Sequence, residues 1–380
     1  MADQALERGY WVGFSRVKGI GGATFRTLLT HFGNAEAAWG APTEALYRLG
    51  VESRALANLA VERRTFHPET FLRGLEKQGV TPLILTDETY PSLLREIPDP
   101  PFVLYVKGTL TPADRNALAI VGTRLATEYG KGMTRRIAFG VAAAGVTIIS
   151  GLAHGIDGYA HHAALEAGGR TIAVLPGGVT EPIPKDHSDL AAMIAAQGAL
   201  VSERPPGALI TDKSFPPRAR IISGLARAVL VVEAGGRTGT RHTTDAALEQ
   251  GRDVFAVPGN ALSPASVGTN RLIQEGAGVI TSVEDVLNAF GLGTPSPSRH
   301  HQSVPVSMPS PPVPISKPPK GALTPTEKTI LTYLKQGAAH VNDVALGCGL
   351  PIAEVTATLS ILELMGQVDQ VGVLIYGLPV

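Results

Sequence analysis

Between Ala117 and Ala289 the chain alternates two patterns. Short aliphatic runs, apolar at successive positions, recur as ALAIV (117–121), VTIIS (146–150), TIAVL (171–175), ALVS (199–202), AVLVVE (228–233), VFAV (254–257) and AGVI (277–280). Between them lie amphipathic stretches such as EYGKGMTRRIAFGVAAAG, DGYAHHAALEAGG and TRHTTDAALEQG. A strand apolar on both faces has to be covered on both, so strands of this kind separated by helices predict a doubly wound α/β fold with a parallel sheet.

The flanks read differently. Residues 1–65 have the pattern of short helices, with Gly19-Ile20-Gly21 joining two of them in VKGIGGATFRTLLTHFG. Such a turn either closes a small helical bundle or presents backbone N–H groups to a phosphate. Residues 66–114 extend the α/β body, which runs to about residue 290, and include the strand-like FVLYVKG. The segment 291–322, rich in Pro and Ser and without apolar period, predicts a linker. After it, Thr324 is placed to cap a helix with Pro325 at its first position and Glu327 closing a capping box. Two further helices and a hairpin in VDQVGVLIYGL complete a winged helix over 323–380.

Net charge is zero among 380 residues, so any nucleic-acid surface must be a local patch. Aromatics are 5% of the chain, which favours phosphate and sugar contacts over an extended base-stacking platform. The single cysteine, Cys348, excludes an internal disulfide and a cysteine-built zinc site. The charged start and the lack of a long apolar run predict a cytoplasmic protein without a membrane span.

Parallel sheets bind ligands at the carboxyl ends of their strands. Here those ends carry Gly122-Thr123-Arg124, then Ser150-Gly151, then Gly177-Gly178, then Gly235-Gly236-Arg237-Thr238-Gly239-Thr240. Glycines admit a phosphate to the backbone, and each helix start adds positive dipole, so these loops predict a phosphate-binding rim. Lys213, Phe215, Arg218 and Arg220 add cations and one aromatic ring, suited to a phosphate beside a base or sugar. No G-x-G-x-x-G fingerprint follows the first strand, which argues against a dinucleotide cofactor. EAGGRTGTRHTT resembles the phosphate loop of cytokinin-activating phosphoribohydrolases, but Thr243 stands where they have a catalytic glutamate, which favours binding over turnover. His154, Asp157, His161 and His162 suggest a metal at first sight. Asp157 sits where a helix N-cap is expected, however, and capping and packing account for the group without a metal.

The chain resembles the DprA/Smf family, the bacterial DNA-processing proteins of natural transformation, over nearly its whole length. The matching pieces are IVGTR (120–124), SGLAHGIDGYAHHAAL (150–165), FPPRARIISGLA (215–226), VLVVEAGGRTGT (229–240) and GRDVFAVPGNALSPASVGTNRLIQEGA (251–277). The resemblance implies a sterile-alpha-motif-like N-terminal domain, an extended Rossmann domain and a winged helix. It also implies a non-catalytic homodimer that binds single-stranded DNA, works beside a single-strand-binding protein and loads the RecA recombinase. By the same resemblance Gly122, Thr123, Arg124, Ser150, Gly151, Lys213, Phe215, Arg218, Arg220, Thr238 and Gly239 form the strand-holding pocket. Two departures are Ala219, where the family has Asn, and Ile183, where it has Tyr. The winged helix itself is a poor candidate reader of DNA: two cations against five acids give residues 323–380 a net charge of −3. The apolar face of its third helix (Val355, Leu359, Leu362, Leu364) is suited to its own core or to a protein partner.

Overall fold

A computed structural model describes residues 2–236, 239–293, 323–372 and 374–379. The chain divides into two compact units, one on either side of the 294–322 segment. The expected linker falls, from residue 294 on, outside the described residues.

The first unit opens with six helices: α1 (Ala2–Arg16), α2 (Gly22–Phe32), α3 (Ala35–Gly40), α4 (Thr43–Arg48), α5 (Ser53–Thr65) and α6 (Pro68–Lys77). Their apolar faces meet around Trp11, Phe14, Phe25, Trp39 and Phe66. This cluster is continuous with Phe102, whose ring stacks on Phe25 at 4.3 Å, and with Tyr105 and Leu175 of the α/β body. The helical segment therefore shares a core with the sheet. Arg8 reinforces the junction by bonding both oxygens of Asp87, at 2.8 and 2.9 Å.

A hairpin follows, β1 (Val80–Ile84) and β2 (Val103–Gly108), with α7 (Ser92–Arg95) in its loop. Then come β3 (Ala117–Val121), α8 (Glu128–Ala143), β4 (Thr147–Ser150), α9 (Ile156–Glu166), β5 (Thr171–Val174), α10 (Ser188–Gln197), β6 (Ala199–Ser202), α11 (Phe215–Gly224), β7 (Ala228–Val231), α12 (Thr240–Glu249), β8 (Asp253–Ala256), α13 (Val267–Gln274), β9 (Gly278–Val279) and α14 (Val283–Ala289). The sheet order is β1-β2-β6-β5-β4-β3-β7-β8-β9. From β6 to β9 in that order the strands are parallel, and β2 joins β6 antiparallel. Every residue of β3 to β7 is buried, as strands covered on both faces require. The expected doubly wound α/β fold is present.

The chain builds outward from β3 to β6 and then crosses to β7 on the other side of β3. The topological switch point, where such sheets bind ligands, thus lies between the carboxyl ends of β3 and β7. Strand β1, which carries Pro82, does not stand out in the aliphatic pattern. It forms an edge, where a strand tolerates a missing N–H.

The second unit is the expected winged helix: α15 (Pro325–Leu334), α16 (Val341–Cys348) and α17 (Ile352–Leu364), with β10 (Ala339–His340), β11 (Asp369–Gly372) and β12 (Ile375–Gly377) in one small sheet. The Thr324–Glu327 capping box forms as expected. Val355, Leu359 and Leu362 are fully buried within this unit, so the apolar face of α17 fills its own core. No single described helix is long and apolar enough to cross a membrane.

Candidate functional site

The carboxyl edge of the sheet brings the glycine-rich turns together, but it uses them differently from the expectation of exposed backbone donors. After β3, Gly122 is packed so closely on Ile156 and the Glu233 carbonyl that a Cβ would collide with both. Thr123 N–H donates to the Glu233 carbonyl at 2.8 Å, and its Oγ1 accepts from Leu125 N–H at 3.2 Å. At the start of α8, the Glu233 carboxylate accepts from Thr127 N–H at 2.9 Å and from Thr127 Oγ1 at 2.5 Å. Glu233 is buried beside the switch point, where it lines a cavity with Thr127, Tyr129 and Pro258.

The second turn repeats the arrangement. Asp157 is not the N-cap of α9, because Gly155 holds that position with φ 72°, a conformation glycine adopts without strain. The Asp157 carboxylate instead reaches back to accept from Gly151 N–H at 3.2 Å and Ala153 N–H at 3.3 Å. Burial raises its pKa, and the nearby Arg218 charge opposes that rise. The start of α8 and the loop before α9 thus already give N–H groups to internal carboxylates, and the positive charge of the rim rests on side chains.

Two of those side chains cluster on an aromatic ring. The guanidinium carbons of Arg124 and Arg218 each lie 5.5 Å from the centre of the Phe215 ring, within cation–π range. Arg124 is exposed, whereas Phe215 and Arg218 are half-buried. Arg218 donates to the Gly151 carbonyl at 2.5 Å and to the Val174 carbonyl at 3.3 Å. A Cβ on Gly151 would lie 2.6 Å from the guanidinium, so glycine is what lets Arg218 approach. Burial works against the Arg218 charge, Asp157 supports it and the like charge of Arg124 opposes it.

Other expected site residues are engaged elsewhere. Ser150 is buried and donates to the Ile120 carbonyl at 2.6 Å, so its hydroxyl serves the sheet. Gly177 is buried where a side chain would strike Ile210, and a Cβ on Gly178 would lie 2.7 Å from Pro206 Cα; the 203–210 segment covers that strand end. Arg220 is paired with Asp99 at 3.1 Å and Glu203 at 2.7 Å, so its guanidinium already has two carboxylate partners. Ala219, where the family has Asn, is buried. Gly239 precedes α12 in open surroundings and Thr240 is its buried first residue. Arg237 and Thr238 lie outside the described residues.

Lys213 is exposed on a short 3-10 turn, Asp212–Ser214. It lines a separate cavity of about 650 Å³ together with Arg204, Arg220 and the turn Lys18–Gly22. The Gly19-Ile20-Gly21 turn therefore borders the same opening as Lys213. The expected single pocket is two neighbouring features, Arg124–Phe215–Arg218 and the Lys213 cavity.

Of the residues grouped by sequence as a metal candidate, His161 is buried, with Nδ1 2.7 Å from Thr171 Oγ1. His162 is exposed. Sequence reasoning missed Glu233 and the Asp99–Glu203 pair, since their roles depend on contacts more than 15 positions away.

Two family models match the chain: DNA recombination-mediator protein A over residues 81–291 and the DprA winged helix domain over residues 314–372. Protein Smf of Synechocystis is 36% identical, covering 96% of this chain and 97% of its own length. DNA processing protein DprA of Bacillus subtilis is 40% identical, covering 62% of this chain and 80% of its own. Among solved structures, DprA from Streptococcus pneumoniae superposes with a TM-score of 0.65 at 32% identity, over 74% of this chain and 97% of that one. DNA processing protein A from Helicobacter pylori, in a structure concerned with its single-stranded DNA binding mode, gives 0.50 at 28% identity, over 55% and 94%.

Proposed function

Because the chain belongs to the DNA recombination-mediator protein A family, we propose that it binds single-stranded DNA through Arg124, Phe215 and Arg218 without altering it chemically. It then acts as a homodimer in the cytoplasm to deliver the strand to the RecA recombinase. The observation that carries the binding site is the pair of guanidiniums on one half-buried aromatic ring. The arginines neutralise successive phosphates, and the ring stacks on a base or sugar between them. Lys213 and the Lys18–Gly22 turn continue the path along the neighbouring cavity. Gly239 and Thr240, at the start of α12 on the other side of the switch point from β4, complete the rim, and by sequence Arg237 and Thr238 belong with them.

Oligothymidine titrations across a salt series test this reading. Arg124→Ala is expected to weaken binding about tenfold, about 1.4 kcal/mol, and to reduce the salt slope by about 0.7. Phe215→Ala should lose about 1–3 kcal/mol of stacking with the slope unchanged. Unchanged affinity in both variants would move the site elsewhere.

The alternative is a nucleotide hydrolase, suggested by the loop from Glu233 to Thr244. Thr243 and Thr240 are buried and carry no carboxylate, while Glu233 is bound to Thr127. Incubation with nucleoside monophosphates is therefore expected to release no free base, and release abolished by substitution at Glu233 would favour the enzyme. The delivery step predicts stimulated RecA strand exchange on DNA coated with single-strand-binding protein. Absence of stimulation would remove that role and leave DNA binding standing.

A further inference from the structure

The loop after β4 and the short 3-10 turn Lys185–His187 before α10 bring His154 together with the adjacent pair Asp186 and His187, more than 30 positions on. The donor atoms of His154, Asp186 and His187 all lie within 4.8 Å of one another. His154 Nε2 is 3.7 Å from the Asp186 carboxylate, and the two imidazole rings are 4.9 Å apart at 70°.

The His187 ring is also fixed in orientation. Its Nδ1 lies 3.0 Å from the Leu152 carbonyl. A carbonyl oxygen only accepts, so Nδ1 is the donor, and in the neutral ring Nε2 is the nitrogen with a lone pair to offer. A backbone carbonyl holding the far nitrogen of a ligating imidazole is the usual outer-shell arrangement at zinc sites.

We propose that His154, Asp186 and His187 bind a divalent ion of the zinc class, with the remaining coordination position open to water or a phosphate oxygen. Two imidazoles and one carboxylate select Zn²⁺, Co²⁺ or Ni²⁺ over Mg²⁺ and Ca²⁺, which prefer all-oxygen sets. Donors in a tetrahedral zinc site stand about 3.4 Å apart. The trio closes to that separation by side-chain rotation, because His154 and Asp186 are both exposed. Asp157 takes no part, its carboxylate being bound to Gly151 and Ala153.

The test is a Zn²⁺ titration of the untagged full chain against a chromophoric chelator. Expected is about one equivalent whose affinity falls at least tenfold in His154→Ala and in His187→Ala, and which excess Mg²⁺ does not displace. His162→Ala, an exposed histidine on α9, should leave it unchanged. Asp186→Asn should weaken it to a smaller degree. His187→Ala also loses the bond to Leu152, so His154→Ala, whose side chain meets only this cluster among the described residues, decides the matter. Absence of binding, or binding that is equal in wild type and His154→Ala, overturns the proposal.

Discussion

Arg218→Ala is expected to destabilise the fold by about 2 kcal/mol, within the range for leaving buried hydrogen-bonding groups without their partner. The guanidinium and the Asp157 carboxylate are joined through Gly151, whose carbonyl accepts from Arg218 at 2.5 Å and whose N–H donates to Asp157 at 3.2 Å. Without the cation, Asp157 remains buried with its charge uncompensated, and the Gly151 and Val174 carbonyls lose their donor. Urea unfolding measures the effect. A loss below about 1 kcal/mol would show that Asp157 does not depend on Arg218. The double variant Arg218→Ala/Asp157→Asn should regain part of the stability while oligothymidine affinity stays as low as in the single variant. Recovery of affinity would place the strand away from this arginine.

The second large effect is on acid stability. His161 is fully buried on α9, and Thr171 Oγ1 donates its proton to the Ile148 carbonyl at 2.8 Å. Nδ1 of His161 is then the donor to Thr171, and Nε2 is left without a hydrogen-bond partner in the described structure. Protonation would place a cation in the core, near the Arg218 charge, and burial pushes the pKa down to about 3. A base with a depressed folded-state pKa stabilises the fold fully above its unfolded value of about 6.5, and that contribution is lost as pH falls from there towards the folded value. The slope approaches about 1.4 kcal/mol per pH unit and sums to about 5 kcal/mol, comparable with the whole stability of many domains.

Asp114 does not interfere over most of this range. Burial alone would raise its pKa, but bonds from Arg170, Thr111 and Thr147 hold it below the usual carboxylate value, so its contribution is lost only at lower pH. Asp157, raised by burial, works in the opposite direction and is common to both proteins compared. His161→Gln should therefore flatten the stability profile relative to wild type between about pH 4 and about pH 6. Parallel profiles would mean that the imidazole accepts its proton without unfolding cost.

The layered fold was legible because its strands are apolar at every position. ALAIV and ALVS coincide with β3 and β6 to the residue, and the other runs differ from their strands by no more than two residues at either end. Edge strand β1 was not legible, since VTPLI is too short and too interrupted by Pro82 to stand out from a loop. For the candidate site, sequence grouped loops that the fold does bring to one sheet edge and misjudged how their backbone donors are used. A helix start preceded by glycines reads as an anion site whether or not the protein supplies its own anion. Glu233 lies 106 positions from Thr127, and nothing local announces that contact. Arg218 and Arg220 are likewise indistinguishable in FPPRARI, yet one joins the aromatic cluster and the other is bound to Asp99 and Glu203.

The Glu233 carboxylate at the start of α8 has a bearing on what the protein can discriminate. A group tethered by the fold competes at an effective concentration that dissolved small anions in a cell do not approach. A single nucleotide phosphate at the start of α8 would have to displace that carboxylate from the Thr127 N–H and hydroxyl. On the proposed reading, a polymer laid along the outer arginines meets no such competitor, and its attachments reinforce one another. Selection for chain over monomer would then need no recognition of length.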